Sequence, residues 1–176
     1  MSIKNVSFIG LGVMGYPMAG HLQKNGYNVT VFNRTESKAK KWVEEHGGQM
    51  GKTPNEACLN AEIVFMCVGR DEDIIEVMEG NNGILSSAKG GLTIVDHTTA
   101  SAEIARTYFT KLQEKNLNFL SDYLLADSSI LSDNLAFDKI ALEIGFGNGE
   151  DFFSFAKKYK GTTNPNININ VNIFIN

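Results

Sequence analysis

Cysteine is scarce in this chain of 176 residues: Cys58 and Cys67 are its two cysteines. Two thiols so spaced cannot build a tetrahedral zinc site or a disulfide framework, and Cys67, inside an apolar run, reads as a buried reduced thiol. Basic charge is not in excess either. Sixteen Lys and Arg against 20 Asp and Glu leave a formal charge of -4, so no basic face is implied and nucleic acid is not an expected partner. No apolar run approaches the roughly 20 residues that cross a bilayer. The N-terminus lacks the charged and apolar regions of a signal peptide. A protein of the cytoplasm, away from the membrane, is therefore expected. Hydrophobic content of 43% and charged content of 20% are those of an ordinary globular chain, long enough for one well-buried domain.

The stretch Phe8-Ile9-Gly10-Leu11-Gly12-Val13-Met14-Gly15 stands out. An apolar run (Ile3, Val6, Phe8, Ile9) enters three glycines at G-x-G-x-x-G spacing, and a helical pattern leaves them. In a strand–turn–helix, Gly10 allows the tight turn, Gly12 lets backbone approach a pyrophosphate, and Gly15 lets the helix pack on the strand. The helix then aims its free N–H groups and positive dipole end at the phosphates. Gly-rich turns are common, so the spacing gains meaning from its place in the first βα turn.

The rest of the chain alternates strands with helices. Residues 3–9, Asn28–Phe32, Ile63–Val68, Leu92–Val95 and Leu117–Leu120 read as five strands. Between them, Met14, Met18 and Leu22 recur every fourth residue as a core-packing helix face, closed by Gly26. Ala39, Trp42, Val43 and His46 form a second stripe ending at Gly47. Thr53-Pro54-Asn55-Glu56 supplies an N-cap, a proline at the first helical position and a capping-box glutamate. Asp71-Glu72-Asp73 opens another helix, where negative charge suits the dipole. That cluster reads as a solvated helix start rather than a metal site, and no metal ligands are expected. Repeated βαβ units mean a Rossmann-type α/β fold, with a doubly wound parallel sheet. Ligands then bind at the carboxyl ends of the strands, where Gly10–Gly15, Asn33–Thr35, Cys67–Asp71 and Asp96–Thr99 converge.

The end of the second strand selects the dinucleotide. An acid there accepts hydrogen bonds from the adenosine ribose and repels a 2′-phosphate. Here the position is Asn33, followed by Arg34 and Thr35. Arginine offers an always-charged fork for phosphate, and Asn and Thr add neutral donors, so NADP is the expected cofactor. The competing reading leaves Arg34 on the surface and Thr35 as a helix cap.

With these segments on the page, the chain resembles the β-hydroxyacid dehydrogenases, the family of 3-hydroxyisobutyrate dehydrogenase and the glyoxylate/succinic semialdehyde reductases. The matching text is Gly10 to Ala19 (GLGVMGYPMA), Val31 to Thr35 (VFNRT) and Val95 to Ser101 (VDHTTAS), covering roughly residues 1–120. The resemblance implies an oxidoreductase moving hydride between NADP(H) and a small hydroxy acid or semialdehyde. It implies cofactor contacts at Gly10, Leu11, Gly12, Val13, Met14, Gly15, Asn33, Arg34, Thr35, Cys67, Val68 and Thr99. A bare reading would make Thr98 or Thr99 a helix cap; the family instead places Thr99 near the nicotinamide ribose. His97 after a strand suggests a base, but in this family the position varies and catalysis comes from elsewhere.

The pattern breaks near residue 121. The family continues with Asp-Ala-Pro-Val-Ser-Gly-Gly, where this chain has Ser121 to Asp127 (SDYLLAD). The family's catalytic lysine sits in G-x-G-x-x-x-K-x-x-N; the lookalike at Gly145-Phe146-Gly147 has Asp151 and Ser154 in the lysine and asparagine positions. An aspartate does not donate a proton near neutral pH unless its pKa is strongly raised. No catalytic residue is therefore assigned, and the sheet is expected to be truncated. Residues 121–160 resemble instead the start of a tRNA (guanine-N7) methyltransferase, with Glu143 ending a strand before a glycine-rich turn. The alternative is an additional βα unit of the first sheet. Residues 161–176 form an Asn/Ile-rich, low-complexity tail. Three readings follow: the NADP-binding domain of an oxidoreductase, completed by a partner; a non-catalytic dinucleotide-binding fragment or artefactual fusion; and an S-adenosylmethionine-dependent methyltransferase. A homo-oligomer is possible, because a truncated edge leaves apolar surface to cover.

Overall fold

The computed structural model describes residues 4–121. The expected junction near residue 121, the methyltransferase-like segment with Glu143, and the Asn/Ile tail lie outside the described residues, Ser121 itself excepted. Within them, apolar runs form β1 (Asn5–Ile9), β2 (Asn28–Phe32), β4 (Ile63–Met66), β5 (Thr93–Asp96) and β6 (Asn118–Ser121), β-branched in all but the last. Between these lie α1 (Gly15–Lys24), α2 (Glu36–His46), α3 (Pro54–Cys58), α4 (Asp71–Glu79) and α5 (Ala102–Gln113).

A sixth strand, β3 (Gln49–Met50), is absent from the sequence reading. It is two residues long and follows Gly47 and Gly48, both at positive φ (78° and 81°). A side chain at Gly48 would meet the Val29 carbonyl oxygen at 2.7 Å, so only glycine lets the chain turn that close to β2. Gln49 and Met50 then pair with Thr30 and Val31.

All pairings are parallel, in the order β3-β2-β1-β4-β5-β6, the order of a dinucleotide-binding sheet. Side chains alternate between two cores. Val6, Phe8, Ile63, Val95 and Leu120 face α1 and α2, around the fully buried Trp42. Ile9, Val64, Met66, Ile94 and Phe119 face the other side, with Ile74 and Met78 of α4 and Tyr108 and Leu112 of α5. Both faces are covered, which is the doubly wound α/β architecture expected from the sequence.

Local chemistry fixes the ends of the elements. After α1, the Gly26 N–H donates to Gln23 O (3.1 Å) and the Tyr27 N–H to Leu22 O (3.3 Å), a Schellman stop at the predicted glycine. Thr53 caps α3 by accepting from the Glu56 N–H at 3.1 Å. The indole of Trp42 donates to Tyr16 O at 3.1 Å, tying α2 to the start of α1. Glu62 anchors the entry to β1 by accepting the backbone N–H groups of Lys4 and Asn5 (2.8 and 2.9 Å).

Candidate dinucleotide site

β1 is flanked by β2 on one side and β4 on the other, so the strand order reverses direction at its carboxyl end. A crevice opens at such a point. Here it is a cavity of about 830 Å³. Gly10, Gly12, Val13, Met14, Asn33, Arg34, Thr35, Cys67, Val68 and Thr99 all line it. Ten of the twelve expected contact residues are thus brought together. The two exceptions, Leu11 and Gly15, are buried in the fold.

The three glycines do different jobs. Gly10 has φ +95°, and a Cβ on it would lie 2.3 Å from Cys67 O, so it serves both the turn and the approach of β4. A Cβ on Gly15 would lie 2.0 Å from Gly10 O and 3.0 Å from the Phe8 ring, which closes the helix onto the strand. Gly12 is the contrast: a Cβ there meets no protein atom within 4 Å. What its missing side chain leaves open is the cavity.

Next to that space the turn carries unused donors. The Gly10 N–H goes to Phe32 O (2.9 Å) and the Leu11 N–H to Asn33 Oδ1 (2.9 Å). Among the described residues, the N–H groups of Gly12, Val13 and Met14 meet no acceptor. α1 has no side-chain cap and no acid in its first turn, so its positive end faces the cavity unneutralised. These residues fit a pyrophosphate: donors, dipole and room for backbone approach coincide.

Several placements correct the sequence reading, Cys67 among them: expected to be buried, it is half-buried on the cavity wall. Met14, expected to pack with Met18 and Leu22, is instead the N-cap of α1, partly exposed at the cavity; Met18 is the buried member. Asn33, expected to offer donors to a phosphate, spends its amide internally. Its Oδ1 accepts from Leu11 and its Nδ2 donates to Thr35 O at 3.0 Å. Neither threonine after β5 caps a helix. Ser101 caps α5, accepting from the Ile104 N–H at 3.2 Å. Thr98 is buried, its hydroxyl accepting the Val68 N–H at 3.1 Å and its own N–H donating to Asp96 Oδ1 at 2.8 Å. That pair of bonds fixes the loops after β4 and β5 together and leaves Thr99 exposed at the cavity. His97 also lines the cavity but is buried, stacked on Phe65 with rings 7° from parallel.

The acidic start of α4 is not simply solvated. Asp71 accepts the Ser101 N–H at 2.9 Å, and its bonds to Ser101 hold its carboxyl below the ordinary range. Asp73 forms an ion pair with Arg34, Oδ1 to Nη1 at 3.2 Å. No group of three or more potential metal ligands occurs among the described residues. Two cations missed in the sequence, Lys38 and Lys52, line the same cavity as Arg34. Lys38 lies in the first turn of α2, just after the Asn33–Thr35 turn.

The sheet order, the glycine turn and the convergent loops define a dinucleotide-binding Rossmann domain. Residues 5–122 match the family model described as the NAD binding domain of 6-phosphogluconate dehydrogenase, and the chain belongs to that family. An uncharacterized oxidoreductase of Shewanella frigidimarina is 43% identical over 152 residues, 86% of this chain and 50% of its own. The probable 3-hydroxyisobutyrate dehydrogenase-like 1 of Arabidopsis thaliana is 38% identical over 112 residues, 63% of this chain and 33% of its own. The 3-hydroxyisobutyrate dehydrogenase of Mycobacterium tuberculosis, at 24% identity, shares the fold with a TM-score of 0.62 over 69% of this chain and 40% of its own. An imine reductase from a Pseudomonas species is 26% identical, with a TM-score of 0.57 over 68% of this chain and 41% of its own. This chain thus spans half or less of the length of these relatives. It carries the NAD(P)-binding domain of the β-hydroxyacid dehydrogenase type. No helix among the described residues is long and apolar enough to cross a membrane.

Proposed function

We propose that this domain prefers NADP(H) and forms the cofactor half of a cytoplasmic oxidoreductase acting on a small hydroxy acid or semialdehyde. The observation that carries the preference is Arg34 at the end of β2, with no carboxylate at residue 33 and with Lys38 and Lys52 on the same cavity. An NAD site needs an acceptor for the ribose hydroxyls; three cations on the cavity lining, Arg34, Lys38 and Lys52, support a 2′-phosphate instead. Bound in the crevice, the nicotinamide supplies or accepts the hydride. The N–H groups of Gly12, Val13 and Met14 hold the pyrophosphate, Arg34 with Lys38 holds the 2′-phosphate, and Thr35 adds a hydroxyl. Cys67, Val68 and Thr99, after β4 and β5, bound the nicotinamide side.

Proton transfer to the substrate oxygen falls to a residue outside this domain, since His97 is stacked and buried. A second domain would supply it. A reading as a non-catalytic dinucleotide-binding domain is favoured by the missing lysine pattern at Asp151. Fluorescence titration separates cofactor preference from activity. NADPH is expected to bind the 176-residue chain more tightly than NADH. Arg34→Glu is expected to weaken NADPH by at least about 10-fold and NADH far less; equal losses sink the NADP assignment. Reduction of succinic semialdehyde or glyoxylate by the chain alone is expected to be absent, and steady-state turnover would show that it needs no further domain.

A further inference from the structure

Arg34 and Asp73 reach toward each other from opposite sides of the glycine turn. Arg34 follows β2, Asp73 lies in the first turn of α4 after β4, and β1 runs between those strands. Both residues line the cavity, and their ion pair (3.2 Å) bridges its two walls. Glu76, one turn further along α4, also lines the cavity, while three acids outside its lining are engaged elsewhere: Glu36 with Lys40, Glu72 with Arg70, Asp71 with the Ser101 N–H. Among the described residues, Asp73 is the acid that forms an ion pair with a cation of the cavity lining. Its second oxygen lies over Gly69, where a Cβ would stand 2.5 Å away, so the absence of a side chain at 69 lets the carboxylate lean toward Arg34.

Resting on the NADP reading above, we propose that Asp73 is a specificity-determining residue that competes with the nucleotide's 2′-phosphate for Arg34. In the free domain its carboxylate occupies the guanidinium that the phosphate needs. A nucleotide with a 2′-hydroxyl leaves the pair intact. A nucleotide with a 2′-phosphate draws Arg34 away, and the phosphate dianion then faces an uncompensated Asp73. The side chain of Arg34 is 89% exposed, so the pair is weak enough to exchange. The same exposure sets the size of the effect. Loss of an exposed pair and of the like-charge contact together amount to about threefold to tenfold in affinity. Asp73 therefore moderates the NADP preference that Arg34 creates and leaves NAD binding untouched.

The test is a double-mutant cycle on the 176-residue chain, titrated with NADPH and with NADH, with circular dichroism to confirm folding. Asp73→Asn keeps the size of the side chain and its contact with Gly69, and Asp73→Ser removes the charge independently should the amide disturb α4. Either variant is expected to bind NADPH about threefold to tenfold more tightly while NADH changes less than about twofold. In an Arg34→Gln background the gain should shrink to the residual charge repulsion. Unchanged or weaker NADPH binding in both charge-removing variants, with Arg34→Gln still impaired, overturns the role of Asp73 and leaves the NADP reading standing. An equal gain for NADH overturns it as well. Failure of the wild-type chain to bind NADPH overturns both.

Discussion

Alanine at each glycine of the turn separates folding from binding, because the three positions meet such different surroundings. Gly10→Ala forces a side chain to φ +95°, at roughly 1–2 kcal/mol. It also drives Cys67 O away from a 2.3 Å approach, an overpacking cost of about 1–3 kcal/mol. The sum, about 2–5 kcal/mol, corresponds to a fall in Tm of about 8–20 °C for a domain of this size. Gly15→Ala meets Gly10 O at 2.0 Å and is expected to cost at least about 2 kcal/mol. Gly12 is not at positive φ and has nothing within 4 Å of its Cβ position. Alanine there should leave Tm unchanged or raise it slightly, since it stiffens the unfolded chain by about 0.4–1 kcal/mol. Its methyl group nonetheless fills the space beside the Gly12–Met14 donors. Losing one charge-assisted bond to phosphate costs about 1.5–3 kcal/mol, which weakens NADPH about 10- to 150-fold. Thermal denaturation followed by circular dichroism, with fluorescence titration of NADPH on the same samples, reads both effects. If Gly12→Ala lowers Tm as far as Gly15→Ala, or binds NADPH like the parent chain, the division of labour among the glycines is wrong.

The two thiols should separate in alkylation by iodoacetamide. Cys58 is buried beside Ser7 and its thiol is pushed up to about 12 by burial, whereas Cys67 is half-buried on the cavity wall. Cys67 is expected to label first and to be slowed by NADPH, with Cys58 labelling only on unfolding; mass spectrometry giving the opposite order refutes this. Stability should also fall in acid. The backbone N–H groups of Asn5 and Lys4 hold the Glu62 carboxyl below its ordinary value of 4.5. Its contribution is therefore complete above that value and is lost as pH drops through the lower, folded-state value. Urea midpoints from about pH 6 to pH 3 should decline less steeply for Glu62→Gln than for the parent chain; parallel curves would remove Glu62 from the acid response.

Much of this was legible in the chain because period and punctuation agreed. The five longer strands announce themselves as apolar runs, and Gly26, Gly47 and the Thr53-Pro54 pair mark helix ends by chemistry that operates within a few residues. β3 was invisible because a two-residue strand has no period, and its position depends on the approach of Gly48 to Val29 O. Met14 misled for a related reason. Its i, i+4 spacing with Met18 is helical, but the helix begins one residue later, so the first member of the stripe lies outside it. The candidate site follows the same rule. The glycine turn and Arg34 carry their meaning in sequence. The bond of Leu11 to Asn33, the hydroxyl of Thr98 on Val68 and the pairing of Arg34 with Asp73 join residues 22 to 39 positions apart, which only folding brings together.

The bond from the Leu11 N–H to Asn33 Oδ1 couples the glycine turn to the Asn33–Thr35 turn, proposed above to select the cofactor. Two turns that the chain writes separately are thus pinned together: on the proposed reading, a pyrophosphate held at the glycine turn would find the reach of Arg34 already set. Redesign of cofactor choice at residue 33 therefore has a geometric side as well as an electrostatic one. An aspartate there retains an acceptor for Leu11 and forfeits the donor to Thr35, so the two turns stay pinned while the second loosens. An aliphatic residue unpins both turns, and whatever preference it creates comes with a blunter grip on every dinucleotide.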